Sequence, residues 1–136
     1  MKIKIINFGV TENHMPRRAH DNDAGADVYA PYGKVIFPGE TVKFPLGFGL
    51  ELPDGYTGFV FPRSSLSAKG IVCQLPPIDS GYRGEIHAVV TNTGTTAYTI
   101  EPDDRIGQLV ILPVVIADFV QQKDERGQGA FGSSGR

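Results

Sequence analysis

Apolar and polar residues alternate with a period of two over much of the chain, the pattern of strands that bury one face. Ile3 and Ile5 alternate with Lys2 and Lys4, and Thr41-Val42-Lys43-Phe44 follows the turn signal Pro38-Gly39. Phe48, Leu50 and Leu52 alternate with Gly47, Gly49 and Glu51, and Pro53-Asp54-Gly55 ends that run with a turn. Tyr56 to Phe61 is rich in aromatic and β-branched residues. Ile86, Ala88 and Val90 alternate with Glu85, His87 and Val89; Asn92-Thr93-Gly94 then turns the chain, and Ala97 to Ile100 returns. Ile106 to Leu112 and Val114 to Phe119 flank Pro113. Short strands at intervals of roughly ten residues predict an all-β sandwich or barrel. One short helix is predicted, with Ser64 or Ser65 capping Leu66-Ser67-Ala68-Lys69 and Gly70 as its left-handed stop. Heptads and fixed-period repeats are absent.

Composition sharpens this picture. The 136 residues fit one domain, long enough to bury a core without disulfides or a structural metal. Glycine (17) and proline (10) together make up a fifth of the chain, which favours turns over long helices. The formal net charge of −2 excludes the general basic surplus of a nucleic-acid or anionic-membrane binder, so an anionic ligand needs a few local Arg or Lys. A single cysteine, Cys73, excludes an internal disulfide and suits a reducing compartment. The longest apolar stretch, Leu109 to Ala117, is interrupted by Pro113 and too short to span a membrane. The N-terminus lacks the apolar block of a signal peptide. A cytoplasmic protein is expected. Residues 1–120 read as a single β domain, and 121–136 as a glycine-rich, flexible C-terminal tail with Phe131 its apolar anchor.

Five segments carry candidate chemistry, and each has an ordinary alternative. In the tail, Gly127 and Gly132 have the glycine spacing of a P-loop, but Ser133 stands where that motif needs Lys. Glycines still let backbone N–H groups approach phosphate, Ser133 and Ser134 add donors, Arg126 adds charge, and Phe131 offers a face to a base. A frayed tail is the alternative. Pro62-Arg63-Ser64-Ser65-Leu66 is either an ordinary helix start with a surface Arg or an anion site. Ile78-Asp79-Ser80-Gly81-Tyr82-Arg83-Gly84 is either a hairpin turn or a general base, Asp79, beside a ring, Tyr82, that packs against a sugar. Asp23 and Asp27 offer Asx-turn chemistry or oxygen ligands for a hard cation. Gln108 is a solvated strand residue or a phosphate contact. His14, His20 and Cys73 lack zinc spacing, His87 reads as a structural strand residue, and a Ser/His/Asp triad finds no support.

Taken in order, Ala24-Gly25-Ala26-Asp27, Pro62-Arg63-Ser64-Ser65-Leu66, Ile78-Asp79-Ser80-Gly81-Tyr82-Arg83-Gly84, Asp104-Arg105-Ile106-Gly107-Gln108-Leu109 and Arg126-Gly127-x-Gly129-x-Phe131-Gly132-Ser133-Ser134-Gly135 resemble the five motifs of the trimeric deoxyuridine triphosphatases (dUTPases). The resemblance runs from about residue 24 to the C-terminus. It implies a jelly-roll-like β-sandwich that forms homotrimers with shared active sites, each closed by a neighbour's tail. It implies hydrolysis of dUTP to dUMP and pyrophosphate with Mg²⁺, which keeps uracil out of DNA and supplies dUMP for dTMP synthesis. By position, Asp79 would activate the water that attacks the α-phosphorus, and Asp27 would support the metal's water shell or the site around Asp79. Arg63, Ser64, Ser65, Gln108, Arg126, Ser133 and Ser134 would hold phosphates. Tyr82, Phe131, Pro76 and Ile78 would hold the nucleoside.

Four positions depart from the family pattern: Cys73 where Asn is usual and Pro76 where Gly is usual, in the hairpin expected to read uracil, and two minor ones, Ala130 and Asp103, each where Gly is common. Pro76 lacks an N–H but its carbonyl can accept from uracil N3–H. Two other functions stay open on sequence: the dCTP deaminases, which share the fold, and a regulatory binding protein switched by nucleotide.

Overall fold

The computed structural model describes residues 1–123. Ten strands and one short α-helix follow one another: β1 (Lys4–Asn7), β2 (Ala26–Tyr29), β3 (Lys34–Ile36), β4 (Thr41–Pro45), β5 (Phe48–Glu51), β6 (Tyr56–Phe61), α1 (Ser64–Ser67), β7 (Ile71–Cys73), β8 (His87–Asn92), β9 (Tyr98–Ile100) and β10 (Arg105–Pro113). A single 3₁₀ turn at Glu12–His14 precedes β2. Two three-stranded sheets, β2-β10-β6 and β4-β8-β7, are joined by the pairs β1-β5 and β3-β9, and all the ladders are antiparallel. The larger sheets meet where β10 approaches β8 and β6 approaches β7. The result is the all-β fold that the alternation predicts, in the jelly-roll-like form that the resemblance implies. No helix among the described residues is long and apolar enough to cross a membrane.

The core follows the period of two. Phe44, Phe48, Ile36, Ile100, Ile106, Val28 and Val90 are wholly buried between the sheets. Each such side chain stabilises the fold by about 1.5–3 kcal/mol through burial. Asn92 is the polar exception, with its amide Nδ2 donating to the Ile36 and Thr96 carbonyls and its Oδ1 accepting from the Gly94 N–H, all at 2.9 Å. It ties the β8–β9 turn to β3 through bonds that apolar alternation does not reveal.

Three expectations change in detail. The helix begins at Ser64, so the extended Arg63 takes the N-cap position and neither serine caps by its side chain. Gly70 does close this turn, at φ +81°. The apolar run after Pro113 forms no strand: β10 ends there, and Val115, Ile116, Phe119 and Val120 are 79–96% exposed. Pairing needs a second strand, and no described segment of the chain lies alongside to provide it. The strand expected at Ile3 and Ile5 lies slightly later, over Lys4–Asn7, because its ladder to β5 starts at Lys4 opposite Glu51.

Candidate active site

Strand β10 gathers three of the five segments. Its ladder places Gln108 opposite Asp27 of β2 on one side and Phe61 of β6 on the other. A bulge between Arg105 and Gly107 inserts one residue against β2. Bulges re-aim side chains, and this one resets the alternation. Ile106 and Leu109 face the core, while Arg105 and Gln108, three apart, both reach the outer side. Gln108 Nε2 donates to the Pro62 carbonyl at 3.1 Å. Arg105 reaches within 3.7 Å of the half-buried Asp27 carboxylate. Its own carbonyl accepts from the Arg63 guanidinium at 3.4 Å. Asp27, Pro62-Arg63, Arg105 and Gln108 are thus one connected cluster. Gly25 makes the packing possible: a Cβ there would sit 2.7 Å from Gln108 Cβ and 2.9 Å from its Cγ.

Beside this cluster Arg63, Ser65, Lys69, Asp103, Asp104 and Arg105 line a cavity of about 280 Å³. Three cations and a hydroxyl there suit phosphate oxygens, and the two carboxylates keep the cations from crowding unopposed. Ser64 and Ser65 are exposed on the first turn of α1. Asp103 sits at φ +70°, a left-handed conformation that Asp tolerates better than most residues, and its carboxylate holds His14 Nε2 at 2.6 Å.

The third segment builds a separate place. Ile78 is pinned to β6 by paired bonds with Gly58, its N–H donating at 2.8 Å. The chain then turns tightly, the Tyr82 N–H donating to the Asp79 carbonyl at 3.0 Å. Asp79 and Tyr82 are both exposed. The Tyr82 ring folds back over Gly84, where a Cβ would lie 2.6 Å from its Cζ, and its hydroxyl donates to the Glu85 carbonyl at 2.8 Å. The Arg83 guanidinium donates to the Ser80 carbonyl and closes the same turn. Asp79, Tyr82, Pro76 and Ile78 line a cavity of about 250 Å³, together with Lys43, Gln74, Glu85 and His87. Cys73 is buried in the core, and burial pushes its thiol up from 9 to about 11.

The described residues therefore bring Asp27, Arg63 and Gln108 together, and Asp79, Tyr82, Pro76 and Ile78 together, on different cavities. Arg126, Phe131, Ser133 and Ser134 lie outside the described residues. Sequence reasoning missed Lys43, Gln74 and His87 as cavity residues and Arg105 as the link to Asp27. The alternation around Lys43 and His87 carried the signal, since it puts both on the face opposite the core.

These features define a jelly-roll-like β protein with an acidic and aromatic cavity and a basic, hydroxyl-bearing one. The family follows from comparison: the dUTPase family model matches residues 11–135, and the chain belongs to that family. It is 45% identical over 144 aligned residues to the deoxyuridine 5′-triphosphate nucleotidohydrolase of Tropheryma whipplei (strain Twist), covering 100% of this chain and 97% of that protein. It superposes on the dUTPase of Staphylococcus bacteriophage 80alpha, solved with dUPNHPP, with a TM-score of 0.81, 27% identity and 99% coverage of both chains. The fold is also that of a mutant dUTPase from phage phi11 of S. aureus, described with a structural Mg(II) ion, at a TM-score of 0.80, 24% identity and 93% and 99% coverage.

Proposed function

We propose that the protein hydrolyses dUTP to dUMP and pyrophosphate, and the match of the dUTPase family over residues 11–135 carries this reading. Asp79 orients a water and takes its proton as the water oxygen bonds to the α-phosphorus. The bond from that phosphorus to the bridging oxygen breaks, and pyrophosphate leaves with the electron pair. The exposure of Asp79 in a cavity supports the role, since its carboxylate can reach both a water and a bound substrate there. Tyr82, held flat by Gly84 and the Glu85 carbonyl, packs beneath the deoxyribose and leaves no room for a 2′-hydroxyl. Arg63, Ser64, Ser65 and Gln108 hold phosphate oxygens; Arg126, Ser133 and Ser134 join them, and Phe131 covers the nucleoside when the 121–136 tail closes over the 1–120 β domain of a neighbour.

Magnesium fits this donor set as a companion of the substrate. No group of three His, Cys, Asp or Glu among the described residues is placed to hold an ion alone. Mg²⁺ keeps its waters readily and takes ligands from phosphate, so a single half-buried carboxylate, Asp27, suffices to hold its water shell. Bound there, the ion offsets the negative charge of the triphosphate.

The active unit is a homotrimer that acts in the cytoplasm. Two observations support the assembly: the Asp79 and Arg63 clusters stand on separate cavities, and Val115, Ile116, Phe119 and Val120 expose an apolar run. The lone thiol, Cys73, is buried and unpaired, which suits a reducing compartment. The test is pyrophosphate release across deoxy- and ribonucleoside triphosphates in Mg²⁺. Release from dUTP but not UTP or dTTP is expected; dUTP left intact overturns the proposal, and conversion of dCTP to a uracil product would point instead to a deaminase.

A further inference from the structure

The floor of the Asp79 cavity carries side chains that the proposed chemistry does not use. On β8, Ala88 and Val90 enter the core, so His87 and Val89 point outward. Lys43 of β4 is in register with Val89, and the Gln74 N–H donates to the Val89 carbonyl at 2.8 Å from the other side. Lys43, Val89 and Gln74 therefore form one row across the sheet. Neighbouring strands lie about 4.8 Å apart, which sets the two polar residues about 10 Å apart at their Cα atoms. Both line the cavity that holds Asp79 and Tyr82.

The loop above this floor is poor in donors. Pro76 and Pro77 have no N–H. The N–H groups of Gln74 and Ile78 are committed to Val89 and Gly58. Between Gln74 and Ile78 that leaves Leu75 as the one uncommitted main-chain donor, while the Pro76 carbonyl stays available as an acceptor. A uracil edge presents the opposite demand: two carbonyl acceptors flanking one N–H. Side chains have to supply donors here. Gln74 already donates to Thr91 Oγ1 at 3.1 Å. Lys43 has no ion-pair partner among the described residues, and Glu85, an acid in the same lining, accepts from the Gly47 N–H at 2.8 Å.

We infer that Lys43 is a specificity-determining residue: its ammonium donates to the O4 carbonyl of the base while the Pro76 carbonyl accepts from N3–H. The inference rests on the dUTP reading above. An ammonium only donates and a proline carbonyl only accepts. Cytosine would set its amino group against Lys43 and its bare N3 against Pro76, two mismatches at once. Gln74, with both an acceptor and donors, tolerates either ring and does not decide between them.

Steady-state kinetics of the full chain with dUTP and dCTP test this, using Lys43→Met and Lys43→Arg with melting curves as a check on folding. Loss of a charge-assisted bond predicts that Lys43→Met raises KM for dUTP by about 10–100-fold and lowers the dUTP-to-dCTP ratio of kcat/KM by a similar factor. Lys43→Arg, which keeps the donor, restores most of both. Wild-type KM and ratio in Lys43→Met, or an Arg variant as defective as the Met one, overturns the assignment. A wild-type protein inert toward dUTP would remove the parent reading instead. Lys43 is then tested by titrating wild type and Lys43→Met with dUMP and dCMP, where a dUMP preference lost in the variant supports it and none in the wild type overturns it.

Discussion

Gly25 is where fold and site depend on the same missing atom. Replacing Gly25 by Ala puts a Cβ 2.7 Å from Gln108 Cβ and 2.9 Å from Gln108 Cγ. Ordinary contact begins about 0.7 Å further out. Rotating the Gln108 side chain relieves the Cγ clash but not the first, because Cβ is fixed by the β10 backbone. That backbone is paired on both edges, to β2 and to β6. The strand must shift or the Gly25 segment must lift. Overpacking of this kind costs about 1–3 kcal/mol, and loss of the Gln108–Pro62 bond adds about 0.5–1.5 kcal/mol. The sum is about 2–4 kcal/mol, a fall in Tm of about 6–16 °C for a domain of this size. Because Gln108 is proposed to hold phosphate, a displacement near 1 Å should also lower kcat/KM by about 10²-fold. Thermal unfolding and dUTP kinetics read both effects. A double-mutant cycle isolates the cause: in a Gln108→Gly background, which lacks the clashing Cβ, the Gly25→Ala cost should shrink markedly. An undiminished cost there, or a single variant with wild-type Tm and kcat/KM, refutes the reasoning.

Other predictions follow from the same geometry. Asp79→Asn should lower kcat by about 10²–10⁴-fold while dUTP still binds, and normal turnover would remove Asp79 from the chemistry. Gly84→Ala should evict the Tyr82 ring from its seat and admit a ribose, so the dUTP-to-UTP ratio of kcat/KM should fall; an unchanged ratio would separate Tyr82 from sugar selection. Asn92→Leu should cost about 3–5 kcal/mol by denaturant unfolding, since three bonds are lost and the buried Ile36 carbonyl is left bare; a change under about 1 kcal/mol would contradict that account, by the same principle. Burial raises the Cys73 thiol to about 11 in the folded chain, so the unfolded chain releases this proton first as pH rises. Its contribution is full below pH 9 and is lost between pH 9 and about 11, a fall of about 2–3 kcal/mol. Cys73→Ala should flatten that part of the stability–pH curve, and an unaltered slope would show that other groups set it.

How much of this was legible in the sequence depends on what kind of signal each feature leaves. Period-two alternation marks a buried face directly, so β4, β5, β6, β8 and β10 stood out around Phe44, Phe48, Val60, Val90 and Ile106. Alternation cannot say which strand pairs with which, and it misread Val114 to Phe119, an apolar run with no described partner in its own chain. The bulge at Arg105–Gly107 was invisible because one inserted residue looks like an ordinary break in pattern, yet it aims Gln108 and Arg105 to one side. The ordered motifs named the candidate residues. The ladders then showed that Asp27, Arg63 and Gln108 meet while Asp79 and Tyr82 stand elsewhere. Lys43 went unremarked for a plain reason. A lysine on the polar side of a strand looks like solvent-facing decoration until the register sets it beside Val89.

The most direct test of the central claim is hydrolysis of dUTP in isotopically labelled, heavy-oxygen water, with the products weighed by mass spectrometry. Attack on the α-phosphorus by a water that Asp79 activates predicts one heavy oxygen in dUMP and none in pyrophosphate. Label in pyrophosphate, release of single phosphates, or no cleavage of dUTP would contradict it.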